Sequence, residues 1–196
     1  MAWYDITTAE IAPRQPLDAE LFGKIRNNLN IGFCGLGLPN VIPNGSFEFS
    51  TGTSPSLWTV NTTGGGSASI STVSAHGGHS LILTRSGTAA KAVEAYTDDF
   101  IAVCATQITI HGIVWATGAT NTAIKGGVAI RTYSKDQTAI STVHYNHSSY
   151  TNAPTTYSMA CTMSTDTRFI KVGCVCASDS TVAGSLLFDA LYIVNT

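Results

Sequence analysis

Cys174 and Cys176 stand one residue apart in Lys171-Val172-Gly173-Cys174-Val175-Cys176, and on a strand that spacing puts two thiols on one face. Two thiols so placed could ligate a metal or form a redox pair. Free cysteine is more often a small buried hydrophobe. The five cysteines, Cys34, Cys104, Cys161, Cys174 and Cys176, contain no CxxC pair and no disulfide framework. Most are read as reduced, and Cys174 and Cys176 as packing residues.

The histidines are His76, His79, His111, His144 and His147. His144-Tyr145-Asn146-His147 would suit a metal on a helix. It ends a strand-like run instead, where a three-residue offset points the two rings to opposite faces. His76 and His79 flank Gly77-Gly78 in a turn, and Asp98-Asp99, between Tyr96 and Phe100, reads as a solvated turn. Glycoside hydrolysis needs two carboxyl groups facing each other across the scissile bond. No such pair is assignable, so no catalytic residue is named and the chain is expected not to be an enzyme.

Sugar binding needs aromatic platforms together with amide and hydroxyl partners. The candidates are Trp58, Trp115, Tyr133, Tyr145, Tyr150 and Tyr157, of which the two tryptophans are assigned to the core. Tyr145, Asn146, His147, Tyr150 and Asn152 cluster in the polar stretch 144–154, the best place for an exposed recognition loop. A contact with a subunit or neighbour competes evenly with glycan binding there.

The elements that must position these groups divide at residue 43. Residues 17–29 carry Leu17, Leu21, Phe22, Ile25 and Leu29 at the spacing of one helical face. Pro16, Asp18 and Glu20 suit the start of that helix, and Lys24 and Arg26 suit its end. A helix of about four turns is marginal alone, so its apolar stripe must pack on the rest of the chain or on another subunit. Residues 1–35 are read as a helical anchor, with Trp3, Ile6 and Ile11 joining the stripe as assembly contacts, and 36–43 as an ordered, Gly-rich arm.

From residue 44 the texture becomes short β-type runs: Ser69–Val73, Ser80–Arg85, Ala92–Tyr96, Gln107–Thr117, Gly127–Tyr133, Thr138–His144, Thr155–Thr162, Arg168–Ala177 and Ser185–Val194. Polar turns separate them, and no helical pattern intervenes. The expected fold is mainly β, an antiparallel jelly-roll β-sandwich over 44–196 preceded by the short helical anchor.

Composition excludes some functions. Charged residues make up 11% of the chain, and ten Lys and Arg stand against twelve Asp and Glu. That is no basic footprint for nucleic acid. No stretch approaches the eighteen or so apolar residues that span a bilayer, and Met1-Ala2-Trp3-Tyr4-Asp5 lacks the regions of a signal peptide. A β-rich protein with so few charges also needs much of its surface covered by partners.

Asn44-Gly45-Ser46-Phe47-Glu48, then Trp58, then Gly78-His79-Ser80-Leu81-Ile82-Leu83, and finally Leu187-Phe188-Asp189-Ala190-Leu191-Tyr192-Ile193 resemble, in this order, the β-sandwich carbohydrate-binding modules with a galactose-binding-like jelly roll. The resemblance implies adjacent first and last strands and a structural calcium at Glu48, Ser80 and Asp189. A hard cation wants carboxylate and carbonyl oxygens. Ala190 stands where that family often has a second acid, and the alternative is that Glu48 and Asp189 cap strand ends through hydrogen bonds. No other cofactor is implied.

Trp3-Tyr4-Asp5-Ile6-Thr7-Thr8-Ala9-Glu10-Ile11, with Pro16–Leu21 and Lys24–Leu29, resembles the N-terminal segment of tailed-bacteriophage virion proteins. The two resemblances together imply a non-enzymatic virion protein assembled in the host bacterial cytoplasm. Its N-terminal segment would dock on capsid, neck or tail proteins, and its jelly roll would be displayed as a decoration, cement or fibre component. A homo-oligomer, a trimer first, is expected, with no nucleic-acid partner and no membrane insertion. The alternative is a glycan-binding module for host-surface polysaccharide.

Overall fold

The computed structural model describes residues 42–62, 65–86, 92–103, 105–117, 124–144, 148–177 and 183–195. The anchor expected at 1–35, most of the arm at 36–43, and Tyr145, Asn146 and His147 lie outside the described residues. Among the described residues no helix is long and apolar enough to cross a membrane.

Alternating apolar residues make two antiparallel sheets. The smaller has the order β12 (Thr155–Thr162), β8 (Gln107–Thr117), β14 (Gly184–Asn195), β5 (Ser80–Arg85), β4 (Gly66–Ser71). The larger runs β10 (Ala139–His144), β9 (Lys125–Tyr133), β13 (Phe169–Cys176), β6 (Val93–Thr97), β3 (Trp58–Asn61). Two short strands, β7 (Ile101–Ala102) and β11 (Ser148–Ser149), pair with β13 and β9. A small hairpin, β1 (Ser50–Thr51) with β2 (Ser54–Pro55), completes the described strands.

The core lies between the sheets. Leu81, Leu83, Ile108, Ile110, Leu186 and Phe188 from one sheet meet Val128, Ile130, Ile170, Val172, Cys174 and Cys176 from the other, all buried in one cluster. Period-two alternation therefore leaves the odd-numbered residues of β13, including Lys171 and Gly173, on the opposite face. Cys161, Cys174 and Cys176 are buried and free. Burial pushes the Cys176 thiol up to about 11 and raises Cys174 well above its ordinary value, which suits packing and opposes reactivity.

The motif at 44–48 acquires a physical reason. Asn44 adopts φ 51°, and its side-chain amide donates to the carbonyls of Phe49 and Ser56 while its oxygen accepts from Phe49 N. Gly45 sits against the last strand: its carbonyl accepts from Leu191 N at 2.8 Å, and a Cβ on it would fall 2.3 Å from Leu191 O. Phe47 is buried and packs on Trp58, ring centroids 5.1 Å apart, while the Trp58 indole donates to Pro43 O. Within β14 the register shifts between Asp189 and Tyr192, and Ala190 takes φ 50° at that bulge.

Candidate functional site

The face of the larger sheet turned away from the core carries the site. In register, Tyr96 lies opposite Gly173 and Thr59, Gly173 opposite Ala129, Lys171 opposite Arg131, and Phe169 opposite Tyr133. These residues come from four strands and share one side.

Gly173 sets the floor. A Cβ there would meet Tyr96 Cε1 at 2.3 Å and Cδ1 at 2.6 Å, so only glycine admits the Tyr96 ring at this position on the sheet. Over that ring sits the Arg131 guanidinium, its Cζ 3.8 Å from the centroid, within cation–π range. Arg131 Nη2 also donates to Glu94 Oε2 at 3.3 Å. Burial, then the Glu94 charge, push the Tyr96 phenol up to about 12, against the opposing pull of Arg131. Layered from the sheet outward, glycine, tyrosine and arginine fix the guanidinium in place.

The other end is aromatic. Phe100 meets Tyr133 edge-on at 4.8 Å and lies 6.1 Å from Phe169, and Lys171 Nζ stands 4.7 Å from the Phe100 centroid. Tyr96, Arg131, Tyr133 and Lys171, with Thr59–Thr62 and Thr97, line a cleft of about 540 Å³, within the range of small-ligand sites. It offers a half-buried tyrosine, two cationic donors, hydroxyls and an amide.

The loop expected to carry recognition is only partly described. Tyr150 corrects that expectation: it is 6% exposed and belongs to the core cluster. The reason is backbone pairing, because Ser148 and Ser149 pair with Gly126 and Lys125, and Ala116 N donates to Thr151 O. These bonds draw the segment against β8 and β9, with Tyr150 buried. Asn152 remains exposed. Trp58, Trp115 and Tyr157 are buried, whereas Tyr133 lines the cleft. Sequence reasoning did not assign Tyr96, Arg131 and Lys171 to a site. The available signal was charge inside a strand: Arg131 and Lys171 sit mid-run in a chain with 11% charged residues.

Glu48, Ser80 and Asp189 do gather around one loop, residues 72–79. Glu48 Oε1 accepts from Gly78 N and His79 N, and Oε2 lies 3.2 Å from His79 Nδ1. Asp189 Oδ2 accepts from Ala75 N and His76 N, and Oδ1 from Ala190 N. The Ser80 hydroxyl donates to Val73 O. A calcium ion needs converging oxygens, but here the carboxylate oxygens face nitrogen groups. Among the described residues no group of three or more His, Cys, Asp and Glu side chains could hold a metal. The three residues as arranged fit a loop clasp rather than a cation site. Burial is the largest single influence on the Glu48 carboxyl and pushes it up, but the amides of Gly78 and His79 and the His79 ring together outweigh it and hold the group below its ordinary value.

No protein-family model matches the chain, and no curated protein matches it in sequence. Solved structures share its fold. The enzymatically active domain of Bacteriophage CBA120 tailspike protein 4 superposes with a TM-score of 0.61 at 16% identity, over 79% of this chain and 21% of that one. The chain thus spans only a fraction of the tailspike. The CBM22-1 xylan-binding domain from Paenibacillus barcinonensis Xyn10C gives a TM-score of 0.55 at 16% identity, over 81% of this chain and 94% of that chain. A family 16 carbohydrate-binding module gives 0.54 at 14%, over 80% of this chain and all of its own. The described domain has the jelly-roll β-sandwich fold of carbohydrate-binding modules.

Proposed function

We propose that this protein is a non-enzymatic glycan-binding module that takes a saccharide into the cleft on the outer face of the larger sheet. The observation that carries the reading is the cleft itself: Tyr133 offers a ring to an apolar sugar face, and Arg131, Lys171, Asn61, Thr59 and Thr62 offer partners for hydroxyls. The fold's resemblance to a xylan-binding domain and to other carbohydrate-binding modules supports it. Among the described residues no carboxylate is part of the cleft lining, and the two that touch it, Glu94 and Asp98, are engaged by Arg131 and Thr59, which favours binding over acid–base hydrolysis.

The test is a polysaccharide panel, neutral and acidic, probed with the full chain and with Tyr133→Ala. Binding to at least one polymer, weakened about tenfold in the variant, is expected, since one aromatic contact is worth on the order of 0.5–1.5 kcal/mol beyond the area it buries. A folded protein that binds no polymer overturns the reading.

A second reading rests on the likeness to a phage tailspike domain. Here residues 1–35 dock the chain on a virion and the sandwich is displayed outward, as the front segment's resemblance implies. Deleting residues 1–30 should then prevent incorporation into particles, and a truncated protein that still joins them would overturn the anchor.

A further inference from the structure

We infer that the saccharide is anionic, carrying a uronic-acid carboxylate that the cleft holds between Lys171 and Arg131; this rests on the glycan-binding reading. The chain as a whole is slightly acidic, with a net charge of -2. Among the described residues the cleft lining itself is the reverse, two cations and no acid, with Glu94 and Asp98 bonded to its Arg131 and Thr59.

Those cations are not scattered. Lys171 and Arg131 are direct partners across β13 and β9. Side chains so placed have Cβ atoms about 5 Å apart, and like charges in that position destabilise a sheet. The fold relieves only one of them: Glu94 pairs with Arg131, whereas among the described residues no carboxylate pairs with Lys171, whose ammonium rests beside the Phe100 ring. Arg131 is also pinned on Tyr96, and a guanidinium has five donors, more than a single contact to Glu94 uses. A carboxylate bridging the two strands would accept from both cations and remove their repulsion. Its sugar ring would then lie toward Tyr133, on the aromatic side of the cleft.

The experiment uses polygalacturonate, alginate and hyaluronan, each beside its carboxyl-reduced neutral counterpart, titrated against the full chain. At least one acidic polymer should bind about tenfold more tightly than its reduced form, as expected for a charge-assisted hydrogen bond. High salt should narrow the gap. Lys171→Gln should remove the preference while leaving residual binding, Lys171→Arg should keep it, and Lys135→Gln, in the exposed turn after β9, should leave it unchanged. Near-ultraviolet circular dichroism checks that each variant is folded. Equal binding of acidic and reduced polymers, or binding confined to neutral polysaccharides, overturns this inference and leaves the glycan reading standing. Failure to bind any polysaccharide overturns both.

Discussion

Gly173 and Tyr96 are register partners that leave no space for a methyl group, since a Cβ on Gly173 would lie 2.3 Å from Tyr96 Cε1. Arg131 closes the ring from above at 3.8 Å, so the ring has no easy escape. Gly173→Ala is expected to lose about 1–3 kcal/mol, the usual cost of overpacking, in urea unfolding. It should also weaken saccharide binding by displacing Arg131. Unchanged stability would mean that the ring moves freely.

The Glu48 carboxylate holds Gly78 and His79 and titrates below its ordinary value of 4.5. A lowered value in the folded state means that the ionised form is the one the fold prefers. Its contribution is present above 4.5 and is lost as pH falls through the lower folded value. Melting temperatures measured at neutral pH and near pH 3 should fall less steeply with acid in Glu48→Gln than in the native chain.

Asp189 is fully buried and accepts three backbone amides, from Ala75, His76 and Ala190. Asp189→Ala leaves those donors without their acceptor and is expected to cost about 2–4 kcal/mol. Asp189→Asn, which keeps one oxygen, should cost less. Because the carboxylates face N–H groups, calcium and a chelator should give the same melting temperature, and a clear rise with calcium would show that the clasp opens to a cation.

The thiols of Cys161, Cys174 and Cys176 are buried. Burial raises all three thiols above their ordinary value, which keeps them protonated near neutrality. Alkylation followed by mass spectrometry should leave these three unmodified in the native protein and modify them after denaturation.

Strands with clear alternation were legible in the sequence. β5, β8 and β12 run over the residues expected, and β9 and β13 differ by a residue or two at their ends. The two-residue strands β1, β2, β7 and β11 were not legible, because two residues define no period. β3, Trp58-Thr59-Val60-Asn61, alternates over only four residues and was missed for a similar reason. The cleft was less visible still. Tyr96, Arg131 and Lys171 lie far apart in the chain and meet only through the pairing of β6, β13 and β9. A cluster read along the sequence, such as 144–154, favours neighbours in the chain over neighbours in the sheet. Tyr150 shows the difference, because its segment's pairing with β9 leaves the ring in the core.

The bond between Gly45 and Leu191 ties the first described turn to the strand that closes the domain, on the sheet opposite the cleft. Within the described residues it fastens the start of the sandwich to its last strand, whereas β6, β9 and β13 carry the cleft. Pulling at residues 42 and 195 would therefore load this join, and the pairing of β14 with β8, before β6, β9 or β13.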